Sequence, residues 1–267
     1  MKKYLLLFIL LLNFSYAQSI KAGYDVSFGI IGEIGQSEIT YTQDRDNYLV
    51  HVYAYTTGLS AFLTQNRQES YFSQGKIING TLVPNVFVKY RKNNSGTSSK
   101  VFRFNHTKKK VFLTLAHLNN ISSTKYSVKT MKSIDVQTEE FTFKKGQFRY
   151  YTDNDLLSLF FNTKKLFNSL LLGESREFSA IGSKTPNCKI DLSVPDGKLR
   201  SELKAILSDN DDKLLTIIVH QDIFQSKNGH LHINFDNDGF AKDVLLKDVI
   251  MFGDIRAKRS YQTVSKN

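Results

Sequence analysis

His230-Leu231-His232-Ile233-Asn234-Phe235-Asp236 alternates polar and apolar residues without a fault. Successive side chains of a strand point to opposite faces, so a period of two marks a strand with one buried face. The same pattern recurs at residues 48–55, 100–104, 111–115 and 140–143. Ile217-Ile218-Val219 is instead a continuous β-branched run, which suits a strand covered on both sides. The chain's 20 Phe and 13 Tyr, with no Trp, supply the bulky side chains of a sheet surface.

Turn signals separate these runs at short intervals. Asn79-Gly80, Asn93-Asn94-Ser95-Gly96, Lys145-Gly146, Asp209-Asn210-Asp211-Asp212 and Asp236-Asn237-Asp238-Gly239 all have the composition of hairpin connections. Short connections favour antiparallel pairing, because parallel strands need long crossovers. The expected fold is mostly β with one long and one short helix. Its sheet is antiparallel and meandering, strongly curved or partly closed as an incomplete barrel.

The long helix is expected over residues 155–172. Asp153-Asn154-Asp155 supplies a cap and Gly173 a stop, with Leu156, Phe160, Phe167 and Leu170 at helical spacing. That stripe is wide enough to pack into a concave sheet face. A membrane-surface helix is the alternative, but Lys164-Lys165 is its only basic pair. The short helix should follow Pro195-Asp196-Gly197 and carry Leu199, Leu203 and Leu207.

The first 17 residues read as a cleavable signal. Met1-Lys2-Lys3 precedes an apolar stretch too short to span a bilayer, and Ser15 and Ala17 occupy the small-residue positions. Cleavage between Ala17 and Gln18 would leave residues 18–267 as a single β-rich domain, secreted across the inner membrane into the periplasm. Gln18 is not a cysteine, so no lipid anchor is expected. Losing Lys2 and Lys3 takes the formal charge from +11 to +9. For an exported protein such an excess points to lipid or another anionic envelope component, and away from nucleic acid. Lys108-Lys109-Lys110, the densest basic run, falls where a hairpin turn is expected. Cys188 is the only cysteine, which excludes an internal disulfide; a structural, partly buried thiol is expected there.

No residue pattern nominates catalytic, cofactor-binding or metal-binding residues. His230 and His232 lie two apart on one strand, and His220 with Asp222 forms a similar pair. The solvent face of a half-buried hairpin looks the same, so no metal is expected. Asp236-Asn237-Asp238-Gly239 opens like a calcium loop, but its glycine comes at position four and Lys247 stands at position twelve. A hairpin turn is expected instead. There is no Gly-x-Ser-x-Gly elbow, phosphate-binding glycine loop or His-Glu-x-x-His, so no enzyme is expected and no cofactor is implied.

Several segments in order resemble the envelope family known as domain of unknown function 3108. They are Gly23-Tyr24-Asp25-Val26-Ser27-Phe28-Gly29-Ile30-Ile31-Gly32, then Gly80-Thr81-Leu82-Val83-Pro84 leading into Phe87-Val88-Lys89-Tyr90, then Asp155-Leu156-Leu157-Ser158. The similarity is expected to run from Gly23 to Arg256, although the family's near-terminal Trp-containing strand is missing. The resemblance implies a periplasmic location and a curved antiparallel sheet wrapped around a helix, and it implies no activity. The leading expectation is non-enzymatic binding of an apolar or amphiphilic envelope component or a membrane-associated partner. A structural or adaptor protein with a self-filled core and an unrecognised hydrolase are the alternatives.

Overall fold

The structure, a computed structural model, describes residues 18–127, 129, 132–166, 169–183, 188–207, 213–218, 230–249 and 253–266. Strands β1 (Gln18–Phe28), β2 (Gly32–Asp44), β3 (Asn47–Thr56) and β4 (Gln68–Ile78) follow one another as a meander. It continues through β5 (Thr81–Asn93), β6 (Gly96–Asn105), β7 (Lys110–Ser127) and β8 (Lys132–Gln147). A second meander comprises β9 (Ser175–Ser179), β10 (Lys189–Ser193), β11 (Leu214–Ile218), β12 (His230–Phe235), β13 (Ala241–Val249) and β14 (Gly253–Lys266). The two join where β1 pairs with β14, with Gln18 opposite Lys266. The result is one open 14-stranded sheet whose edges are β8 and β9, and its neighbouring strands run antiparallel.

Helix α1 (Gly58–Leu63) lies in the β3–β4 connection, α2 (Leu156–Asn162) comes between β8 and β9 in chain order, and α3 (Gly197–Ile206) links β10 to β11. The helix expected over residues 155–172 is therefore shorter. It tightens into a 3-10 turn at Thr163–Leu166, where the Thr163 hydroxyl donates to the Phe160 carbonyl at 2.6 Å. Such back-bonding competes with the helical ladder near a helix end. Phe167 lies outside the described residues. The short helix forms as expected, with Leu203 buried on its inner face. Helix α1 has no counterpart in the sequence expectations.

Asn79-Gly80 forms the expected hairpin turn, with φ of 51° and 70°, the doubly positive geometry that matches strand twist. Lys109, at φ 51°, lies in the β6–β7 turn, where the basic run was expected. Lys145-Gly146 does not turn; it lies within β8, opposite Thr114 and Leu113. A long cross-strand register overrides its weak turn composition. Asp209–Asp212 lies outside the described residues.

The largest core cluster joins Ile20, Ala22 and Tyr24 of β1 to Leu192, Leu215, Ile233 and Phe235 of the second meander, with Leu159 of α2 among them. A second cluster holds Phe87, Phe102 and Val111 with Ile181 and Cys188. Leu156 packs against both, so α2 touches the cores of both meanders. β12 corrects the one-sided reading of its alternation, because His232, Ile233, Asn234 and Phe235 are all buried.

Candidate functional site

The start of α2 is fixed by a buried polar network. Asp155 is fully buried and caps the helix, its Oδ1 accepting from the backbone N–H of Leu157 and of Ser158 at 2.8 Å each. The Ser158 hydroxyl accepts from the Asp155 N–H, completing a capping box. The Ser73 hydroxyl of β4 donates to Asp155 Oδ2 at 2.6 Å, and Tyr48 of β3 lies 2.9 Å from Ser73. Burial pushes the Asp155 carboxyl up to about 7, against the hydrogen bonds that favour its charged form. Burial likewise raises the Tyr48 phenol.

The other end of α2 borders a cleft of about 280 Å³. Ile20, Leu82 and Phe240, all buried, form its apolar floor. Tyr41 stacks on Phe161 at 5.3 Å, and Phe161 meets Phe240 edge-on at 5.2 Å. Pairing of Gln18 with Gln43 and of Ile20 with Tyr41 puts two amides at the mouth and two apolar groups behind them. Asn162 ties the helix end to β5, accepting from Leu82 N–H at 2.8 Å and donating to Leu82 O at 3.0 Å. Lys164 and Asp238, both exposed, complete a polar rim. The Lys164 stem lies against Gly239, where an added Cβ would meet it at 3.3 Å. An apolar floor under a mouth of mixed polarity suits an amphiphile rather than a small ion.

Ala17, expected before the cleavage point, lies outside the described residues, while Gln18 begins β1 at this mouth. His220 and Asp222 also lie outside them. His232 is only 2% exposed, and its Nδ1 lies 2.9 Å from the Thr216 hydroxyl. Burial depresses its imidazole to about 4, so it is neutral at pH 7. The expectation of a solvated histidine face fails here, because the Thr216 hydroxyl supplies the partner that water would otherwise give. Among the described residues, no three His, Cys, Asp or Glu side chains group as metal ligands. Cys188 is buried and its thiol is raised by burial.

His51 Nε2 lies 2.7 Å from the Ser70 hydroxyl and its ring stacks on Phe72 at 4.0 Å. The neighbouring Glu38 carboxylate is bonded by Lys21 at 2.8 Å and by the Tyr261 hydroxyl at 2.7 Å. Ser70 and His51 sit within paired strands, where backbone N–H groups serve the ladder rather than a reacting oxyanion. The sequence marked Asp155 as a helix cap but offered no signal for its bond to Ser73 or for the cleft, since each joins segments some 80 residues apart.

Fold and cleft together define an open antiparallel β-sheet protein with an amphiphilic cleft beside an inserted helix. Within that class, residues 23–135 match the family described as protein of unknown function (DUF3108), and the chain resembles that family as its motifs indicated. The match covers β1 through the start of β8, a shorter stretch than the motifs suggested, and Asp155–Ser158 lies beyond it. No curated protein matches the sequence. Among solved structures, the chain is similar to a β-barrel-like protein of domain of unknown function DUF1849 from Brucella abortus. Identity is 8%, the TM-score is 0.35, and the alignment covers 94% of this chain and 98% of that one.

Proposed function

We propose that this is an exported, periplasmic, non-enzymatic protein that binds an apolar or amphiphilic envelope component in the cleft beside α2. The observation that carries this reading is the floor of Ile20, Leu82, Phe161 and Phe240 under a rim of Gln18, Gln43, Lys164 and Asp238. An acyl or other apolar tail fits the floor and a polar head fits the rim. On this reading the sheet curves around α2, and the helix forms one wall of the site. The volume is small against common ligand pockets of roughly 300–1,000 Å³, which favours a single chain end over a whole lipid.

One observation favours the structural alternative. Leu159 is buried within the main cluster, and Phe160 lies 5.1 Å from Phe235, so α2 fills much of the space a larger ligand would need. Native mass spectrometry of protein from its own periplasm distinguishes the two. A bound small molecule lost on Phe161→Ala supports the binding role. A mass equal to the bare chain, with Phe161→Ala merely less stable, supports the self-filled structure.

A further inference from the structure

We propose that the α1 end of the sheet docks onto the surface of an anionic lipid bilayer, with Leu59, Phe62 and Leu63 entering the apolar region. This goes beyond the cleft reading and does not depend on what the cleft holds. Helix α1 has no buried residue, and Leu59, Phe62 and Leu63 are 62%, 79% and 69% exposed. Ile31, in the 3-10 turn between β1 and β2, is also exposed. A helix this short does not hold itself together in water. Here it is fastened to the sheet: Thr57 N–H donates to Ile34 O, and Gln65 O accepts from Asn94 N–H of the β5–β6 turn at 2.9 Å. Thr64 then closes the helix by donating its hydroxyl to Ser60 O at 2.7 Å. The protein thus spends ordered backbone on presenting three large apolar side chains to solvent.

Charge says what covers them. Thr64 borders a polar cleft of about 320 Å³ that is also lined by Arg67, Arg91 and His117. Arg91 lies two residues along β5 from Lys89 and four from Phe87, so its side chain shares the face that carries the core. Cross-strand pairing extends that face through Ser98 to His117, and through Lys100 and Leu115 to Lys144. Arg91, Lys100 and Lys144 are exposed. The acids nearby include Glu69, which Arg67 Nε bonds at 2.8 Å, and Glu139 and Glu140, paired with Asn120 and Asn119. Glu33 stands two residues beyond Ile31, whereas Arg67, Arg91 and His117 line the hollow itself. An apolar knuckle beside a cationic, hydroxyl-rich hollow matches a surface with phosphates above hydrocarbon. A second copy set face to face would bring these cations together, which disfavours self-association.

The chain has no Trp, so Phe62→Trp places a single reporter on α1. Its fluorescence in the full chain is followed as vesicles of phosphatidylcholine containing phosphatidylglycerol are added, with phosphatidylcholine alone in parallel. A blue shift with the anionic vesicles is expected, weakened by salt. Adding Arg91→Glu and Lys100→Glu should raise the lipid concentration needed by roughly 30-fold or more, as losing two basic contacts near an anionic surface would. Thermal melting of Phe62→Trp should match the parent, since α1 buries nothing. No shift, or an equal shift with neutral vesicles, overturns the proposal. So does a shift that appears with protein concentration alone, which would make α1 a contact between copies.

Discussion

The Ser73 hydroxyl and the Asp155 carboxylate, 82 positions apart in sequence, meet at 2.6 Å where neither reaches water. Through that bond β4 holds the first turn of α2, and α2 in turn touches the cores of both meanders. One carboxylate therefore serves local and long-range structure together: it caps a helix and pins that helix to the sheet.

Replacing Asp155 should cost stability in proportion to what its oxygens lose. Asp155→Ala removes the cap and strands the Ser73, Leu157 and Ser158 donors in a buried site. Together these are worth about 2–4 kcal/mol, from a cap near 1 and unsatisfied donors near 1–3. Asp155→Asn keeps a carbonyl for the two N–H groups and should cost about half as much or less. Denaturant melts check the order; equal losses would mean that the Ser73 bond, not the cap, matters.

The strands at residues 48–55 and 111–115 were legible because a period of two needs only local sequence. Asn79-Gly80 was legible because few residue pairs adopt two positive φ values cheaply. The length of α2 was not. Leu170 and Gly173 continued the pattern of a helix, while the Thr163 hydroxyl that tightens its end is one polar atom in an apolar stripe. Strand β12 misled for a different reason: alternation reports polarity, and the buried His232 meets the Thr216 hydroxyl rather than water. The cleft left no trace in sequence because Gln18, Leu82 and Phe161 come from three separate elements and Phe240 from the β12–β13 connection.

The inner face of α2 should be far less tolerant than α1. Leu159 is 5% exposed within the main cluster, so Leu159→Ala should cost about 2–5 kcal/mol. Phe160 is half-buried against Phe235 and should fall toward the lower end of the 3–5 kcal/mol range for buried aromatics, at about 3. Leu59→Ala in α1 should change the melt by less than about 0.5 kcal/mol, as exposed sites do. A large loss at Leu59 would show that α1 packs against something in the folded protein.

Cys188 should be inert in the native state. It is 1% exposed, its thiol is raised by burial, and the thiolate is the form that reacts. A disulfide reagent at pH 8 should label it slowly, and quickly once denaturant is present. Labelling at the rate of a free thiol without denaturant would place the sulfur at the surface.

Two buried groups should tilt stability against pH in opposite directions. Asp155 rises from 3.8 to about 7 on folding, so between those values the folded state holds a proton the unfolded chain has lost. Its contribution is complete below about 4 and fades as pH rises towards 7. His232 falls from 6.5 to about 4, so over that window the unfolded chain holds the extra proton. Its contribution is complete above 6.5 and is lost as pH falls to about 4. Each slope is at most about 1.4 kcal/mol per pH unit, and between pH 4 and 6.5 they oppose each other. The parent protein should therefore show a shallow profile there. Asp155→Asn removes the first slope and should leave stability climbing from pH 4 to 6.5. His232→Asn removes the second and should leave it falling from pH 4 to 7. Denaturant midpoints across that range decide the matter, and two variants with the parent's profile would place neither proton in the folding equilibrium.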